Sequence, residues 1–110
     1  MNYEELSEFA MQIIANSGMS RSASMEAVKF AREGEFEKCK EALEEANTFY
    51  LEAHKTQTEL IVKETGEEEK IVVNLIMVHA QDHLTMALMA KDNAKEMINI
   101  YERLSKLEEK

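Results

Sequence analysis

Five consecutive residues, His79-Ala80-Gln81-Asp82-His83, put two imidazoles, an amide and a carboxylate into the most apolar stretch of the chain. At helical spacing His79, Asp82 and His83 stand at i, i+3 and i+4, so they project from one face while Gln81 points elsewhere. Imidazole titrates near neutrality and is nucleophilic when unprotonated, and a neighbouring carboxylate or amide fixes which ring nitrogen is free. The triplet therefore suits proton transfer, metal ligation or covalent phosphorylation. Removing a carboxylate or unpaired polar group from water costs roughly 2–7 kcal/mol or more, so a buried Asp82 needs a partner, a cation or internal water.

Several chemistries compete at this cluster. A histidine on an apolar face is commonly a satisfied core residue, and two histidines flanking an aspartate weaken that reading. A zinc protease needs a glutamate directly after His79, where Ala80 stands. Di-iron bundles need glutamates three residues before their histidines, where the chain has Ile76 and Ala80. On a buried seam, Asp82 would face its own copies around a symmetry axis. Their repulsion could be relieved by a shared cation or by protonation, or tolerated as a device that fixes oligomer order.

The elements that must position these groups are helices. There is no proline, the only glycines are Gly18, Gly34 and Gly66, and the intervening residues are rich in Ala, Leu, Met, Glu and Lys, which lose little rotamer freedom in a helix. Asn2, with Glu5 three residues on, starts a first helix carrying Leu6, Phe9, Ala10, Ile13 and Ile14. Asn16-Ser17-Gly18 should kink or split it, with a restart at Ser20 or Ser22 and a stop at Arg32-Glu33-Gly34. From Glu35 to about Glu64, Phe36, Cys39, Leu43, Ala46, Tyr50, Ala53, Gln57 and Leu60 form a heptad-like seam. Thr65-Gly66-Glu67 breaks that helix, and a third runs from roughly Glu69 to Leu107. The expected fold is all-α, a single domain over residues 1–110 folded as an antiparallel up-down-up three-helix bundle. The third helix has two apolar faces, one with Val72, Ile76, His79, His83, Met86 and Ala90, the other with Val73, Met77, Ala80, Leu84 and Leu88. One small bundle cannot bury both, so the pattern predicts self-assembly.

Charge narrows the partners. Thirteen bases against 22 acids give −9, and residues 33–69 hold 12 acids and 4 bases, whereas residues 70–110 hold 6 of each. That balance repels phosphate backbones and anionic lipids, so nucleic acid is not an expected partner and a basic protein face is. The single Cys39 cannot form an internal disulfide and reads as a small core residue. The N-terminus has neither a basic leader nor an apolar signal core, which points to the cytoplasm. The stretch Ile71–Ala90 is interrupted by Asn74, His79, Gln81, Asp82, His83 and Thr85 and reads as a core helix rather than a membrane span. Residues 53–58, including His54 and Gln57, read as a solvated helix face, and the eight methionines read mostly as core filler.

VHAQDHL at 78–84, EAHKTQTELI at 52–61 and AREGEFEKCKEALEEA at 31–46 together resemble the enzyme IIA component of the lactose/cellobiose phosphotransferase family, which includes N,N'-diacetylchitobiose components. The resemblance covers nearly the whole chain. It implies a homotrimer of three-helix subunits that accepts a phosphoryl group from phospho-HPr on a histidine and passes it to a cysteine of enzyme IIB, serving uptake of a β-linked disaccharide of cellobiose, lactose or chitobiose type. His79 matches the phosphorylated histidine, and Gln81 and His83 match active-site neighbours. Asp82 matches the aspartate at the trimer axis, where three copies share a divalent metal ion of the Mg2+ kind. Contact with the membrane would be indirect, through enzyme IIC. No GxxxxGK loop occurs, which suits a carrier charged by another protein rather than by a nucleotide. The competing reading is a non-catalytic helical oligomer or adaptor in which the His/Asp cluster is structural.

Overall fold

The computed structural model describes residues 1–66 and 70–109, and these form three long helices with no strand among them: α1 (Tyr3–Arg32), α2 (Phe36–Thr65) and α3 (Leu75–Glu108). The molecule is a rod of 64 × 20 × 18 Å.

Each turn has a local cause. The Asn2 side chain accepts a 2.8 Å hydrogen bond from the Glu5 amide, the cap expected from the sequence. At the other end of α1 the Glu35 amide donates to the Phe30 carbonyl at 2.8 Å and the Gly34 amide to Ala31 at 3.1 Å. This reciprocal closure needs a left-handed residue, and Gly34 has φ 81°. Asn74 caps α3 by accepting from the Met77 amide at 3.0 Å, and its side-chain NH2 donates to Ser7 Oγ of α1 at 3.3 Å. That second bond fixes where α3 starts relative to α1, and hence the phase of every side chain that follows.

Two apolar clusters hold the rod. In one, Leu6, Ala10 and Ile13 of α1 meet Ala53 and Leu60 of α2 and Met77, Ala80 and Leu84 of α3. In the other, Ala27 and Ala31 meet Cys39, Ala42, Ala94 and Ile98. Many of these are alanines, so the helices approach closely. Between the clusters the interior is polar: Ser17, Ser20 and Ser24 are buried on α1, and Ser20 Oγ donates to the Ala46 carbonyl at 2.7 Å. Lys91 is only 7% exposed; its ammonium donates to Asn47 Oδ1 at 2.9 Å and lies 4.3 Å from the centroid of the Tyr50 ring. Loss of water pushes the Lys91 pKa down, nearby Lys95 adds to this and Asp92 partly opposes it. α1 packs along both other helices, whereas α2 and α3 touch far less and are bridged by polar pairs.

Four sequence expectations need correction. α1 is not split at Asn16-Ser17-Gly18 but runs unbroken, because Ser17 and Ser20 face inward as small packing residues and one glycine costs only about 1 kcal/mol in a helix of this length. α3 begins at Leu75, not near Glu69: Ile71-Val72-Val73 is β-branched and Asn74 is a strong cap, while Glu67 and Glu69 themselves lie outside the described residues. Residues 53–58 are not uniformly solvated, since Ala53 and Thr56 are buried and Gln57 is half-buried. Six methionines, Met11, Met19, Met25, Met86, Met89 and Met97, are 40–61% exposed in the single chain and fill no core there. Cys39 is buried as expected, and its thiol pKa is raised by desolvation and then by Glu102.

Candidate functional site

The HAQDH run occupies the second and third turns of α3. Ala80 faces inward at 0% exposure, and this places the flanking groups at the surface: His79 and Asp82 are exposed, Gln81 and His83 half-buried. The expected helical grouping is present for the histidines. His79 Nε2 and His83 Nε2 are 3.0 Å apart, with rings nearly perpendicular at 82° and centroids 4.4 Å apart. At that separation one nitrogen must donate and the other accept, so the two facing nitrogens share one proton and the accepting ring keeps a lone pair held in place.

Gln81 does point elsewhere. Its NH2 donates to Gln57 Oε1 of α2 at 2.7 Å and lies 3.3 Å from Met77 Sδ. Gln57 thus joins the site across the helix pair, a role the sequence left undecided; its place on the second helix's heptad-like seam was the available signal. His54, one turn earlier, is exposed and has Tyr50 as its ring neighbour, 5.9 Å away. Asp82, Gln81 and Gln57 border a groove of about 480 Å3 walled by Leu60, Ile61, Val73, Met77 and Val78, between the end of α2 and the start of α3.

Asp82 makes no hydrogen bond or ion pair among the described residues. No three His, Cys, Asp or Glu side chains of the described residues converge to hold a metal ion within one chain. Asp82 does lie on a continuous outward seam. Leu75, Val78, Asp82, Met86, Met89, Asn93, Met97, Ile100 and Leu104 follow one another at intervals of three, four and four residues, and all are exposed. This eleven-residue repeat keeps a nearly straight stripe on an α-helix, opposite the buried face of Met77, Ala80, Leu84, Ala87, Lys91, Ala94 and Ile98. A second apolar face exists, as the pattern predicted, but on other residues than expected: of Val72, Ile76, His79, His83, Met86 and Ala90 only Met86 lies on this stripe, and Val72 precedes the helix.

These features define an all-helical protein that presents an imidazole pair on its surface rather than in an enclosed pocket, and none of its described helices is long and apolar enough to cross a membrane. Residues 8–102 match the family model described as the lactose/cellobiose-specific IIA subunit of the PTS system, and the chain belongs to that family of phosphotransferase components. It is 43% identical over 102 residues to the lichenan-specific phosphotransferase enzyme IIA component of Bacillus subtilis, covering 93% of this chain and 92% of that one. The cellobiose-specific enzyme IIA from Bacillus anthracis superposes with a TM-score of 0.87 at 39% identity, covering 96% and 94% of the two chains. The IIA(chitobiose) structure solved in complex with HPr, from the Escherichia coli phosphotransferase system, gives a TM-score of 0.78 at 37% identity over 91% and 96%.

Proposed function

We propose that this chain is a covalent phosphoryl carrier in which His79 accepts a phosphoryl group from phospho-HPr and delivers it to the cysteine of an enzyme IIB, for uptake of a β-linked disaccharide. The observation that carries this reading is the exposed His79 ring, whose Nε2 is engaged 3.0 Å from His83 Nε2 on a rigid helix. An unprotonated ring nitrogen of His79 attacks phosphorus in line; its N–P bond forms as the N–P bond to the donor's imidazole breaks. In the second step a thiolate forms an S–P bond and His79 leaves with its lone pair. The first transfer exchanges one phosphohistidine for another, so it runs near equilibrium. The arriving phosphoryl brings roughly −1.5 to −2 charges, and the freed N–H of His83 is the nearest side-chain donor to receive it. Gln57 positions Gln81 through their 2.7 Å contact across the helix pair. The HPr complex of the chitobiose relative supports HPr as donor, and the net charge of −9 suits a donor with a basic docking face.

The assembled form follows as part of the same reading: a homotrimer of up-down-up subunits in the cytoplasm. The helix order is supported by the two clusters, in which the start of α1 meets the end of α2 and the start of α3. Self-assembly is supported by the uncovered α3 seam, and its order of three is what the family resemblance implies. Asp82 supplies a hard oxygen donor but only one per chain, so it fits a divalent ion only where copies bring their carboxylates together. Such an ion would relieve repulsion between the copies and supplies no step of the transfer.

Incubation with phosphoenolpyruvate and the general phosphotransferase proteins should give an acid-labile adduct on the wild type and none on His79→Gln. Labelling that persists in the variant removes His79 as acceptor. The adaptor reading predicts no adduct on either chain. A metal assay of the purified protein beside Asp82→Leu decides whether the ion is bound.

A further inference from the structure

His79 and His83 are the two histidines of α3, and their Nε2 atoms face each other across 3.0 Å at the surface, whereas His54 stands alone on α2. Two imidazoles one turn apart on a helix face form a chelate, a pair of nitrogen donors whose spacing is fixed before any ion arrives. That spacing is selective. With metal–nitrogen bonds of about 2.05 Å, donors 3.0 Å apart subtend about 94° at the ion. This is close to the right angle between neighbouring ligands of an octahedral or tetragonal ion, whereas a tetrahedral zinc site needs its donors about 3.35 Å apart. The exposed His79 ring can turn to aim its lone pair without displacing packed atoms.

We infer that His79 and His83 together bind a late first-row divalent ion of the Ni2+ or Cu2+ class, and that the bound ion holds the carrier inactive. In the free pair one Nε2 carries hydrogen and the other a lone pair. Among the described residues neither Nδ1 makes a hydrogen bond, so the donating ring can move its proton to Nδ1 and present a second Nε2 lone pair. Two metal–nitrogen bonds then form, two waters leave the ion, and no net proton is released. The inhibition rests on the carrier reading: with Nε2 on the ion and Nδ1 protonated, His79 keeps no lone pair with which to attack phosphorus. The site is distinct from any ion at Asp82, a hard oxygen donor that bonds to neither ring and suits Mg2+, while imidazole selects softer ions. No third His, Cys, Asp or Glu of the described residues converges on the pair within one chain, so the other coordination positions are left to water.

Titration calorimetry of the purified protein with Ni2+ should give one ion per chain. His79→Gln and His83→Leu, with helix content checked by circular dichroism, should each weaken binding about tenfold or more, because the second donor of a chelate acts at high effective concentration. His54→Gln and Asp82→Leu should bind as the wild type does. Cu2+ should give an electron paramagnetic resonance spectrum split by two nitrogens, a reading that needs no variant. With purified phospho-HPr as donor, saturating Ni2+ should slow transfer to the wild type about tenfold or more and a chelator should restore it, whereas His83→Leu should keep its own slower rate at the same Ni2+ concentration. Binding unchanged by loss of either histidine, or a copper spectrum without nitrogen splitting, would overturn the metal site and leave the carrier reading standing. Binding lost with either histidine, together with full-rate transfer to the Ni2+-loaded wild type, would instead remove His79 as the acceptor and the inhibition with it.

Discussion

Replacing His83 by Leu isolates what the imidazole pair does. In the free protein the change removes the 3.0 Å bond that orients the His79 ring. A partly exposed neutral hydrogen bond contributes about 0.5–1 kcal/mol, so the fraction of rings held ready for attack should fall about two- to fivefold. In the proposed transfer, where the His83 N–H receives the incoming phosphoryl oxygens, the change also removes that donor. Hydrogen bonds to charged groups contribute about 1.5–3 kcal/mol, so that part alone slows the chemical step by about tenfold or more. Rapid-quench measurement of phosphoryl transfer from phospho-HPr should therefore show the His83→Leu rate down by about 20-fold, while helix content and assembly are retained. His83→Gln restores a donor and should recover part of the rate. A His83→Leu chain with the wild-type rate refutes the pairing argument and leaves His83 a packing residue.

Three further outcomes follow from the geometry. In a double-mutant cycle, Gln57→Leu and Gln81→Leu should couple by about 0.5–1.5 kcal/mol in urea unfolding, and each should slow phosphoryl transfer; additive effects would mean that the 2.7 Å contact does not orient Gln81. Lys91 has its pKa lowered in the fold, so between that lowered value and the ordinary lysine range the unfolded chain binds more protons and stability rises with pH. Lys91→Met should be as stable as wild type or more so near neutrality, and should lack this alkaline rise when thermal midpoints are compared pH by pH. Cys39, buried with a raised pKa, should react with a thiol reagent far more slowly in the native protein than in denaturant, and fast native labelling would show that the α1–α2 end of the rod opens readily.

The helical class, the Asn2 cap, the Gly34 stop and the inward face of Met77, Ala80 and Leu84 on α3 were legible in the sequence because each rests on local chemistry or on periodicity over many residues. The start of α3 was misplaced because helix-forming glutamates up to Glu69 outweighed the β-branched Ile71-Val72-Val73, and only the cap at Asn74 with its bond to Ser7 decides between them. The unbroken α1 was misread for a similar reason. Asn16-Ser17-Gly18 carries helix-weakening propensities, and what overrides them is the close packing of α1 against both other helices, which no local window contains. At the site, the pairing of His79 with His83 followed from helical spacing alone, whereas Asp82, expected to act with them, bonds to neither ring. The 3.0 Å contact between the rings and the partnership of Gln57 with Gln81 did not, since these depend on rotamers and on the register of α2 against α3. Lys91 was missed altogether, because its placement inside the rod is only explained once Asn47 and Tyr50 are seen beneath it.

The polar interior and the surface chemistry are connected through α2. Its contacts with α3 are few, and two polar bridges, Gln57 to Gln81 and Asn47 to Lys91, set its position beside that helix. A carrier must release its phosphoryl group as readily as it accepts one, so the groups around His79 have to orient the ring without binding the adduct tightly. Hydrogen bonds across a lightly packed helix pair meet that requirement better than a buried pocket would. They hold Gln81 in place at a cost of about 1 kcal/mol when lost, while the exposed His79 ring stays open to the two protein partners of the proposed reading. The closely packed alanines of α1 supply the rigidity that this arrangement lacks, because α1 touches both neighbours along its whole length. Enlarging Ala10 or Ala80 should therefore disturb transfer more than removing Lys91, even though neither alanine touches the phosphoryl group.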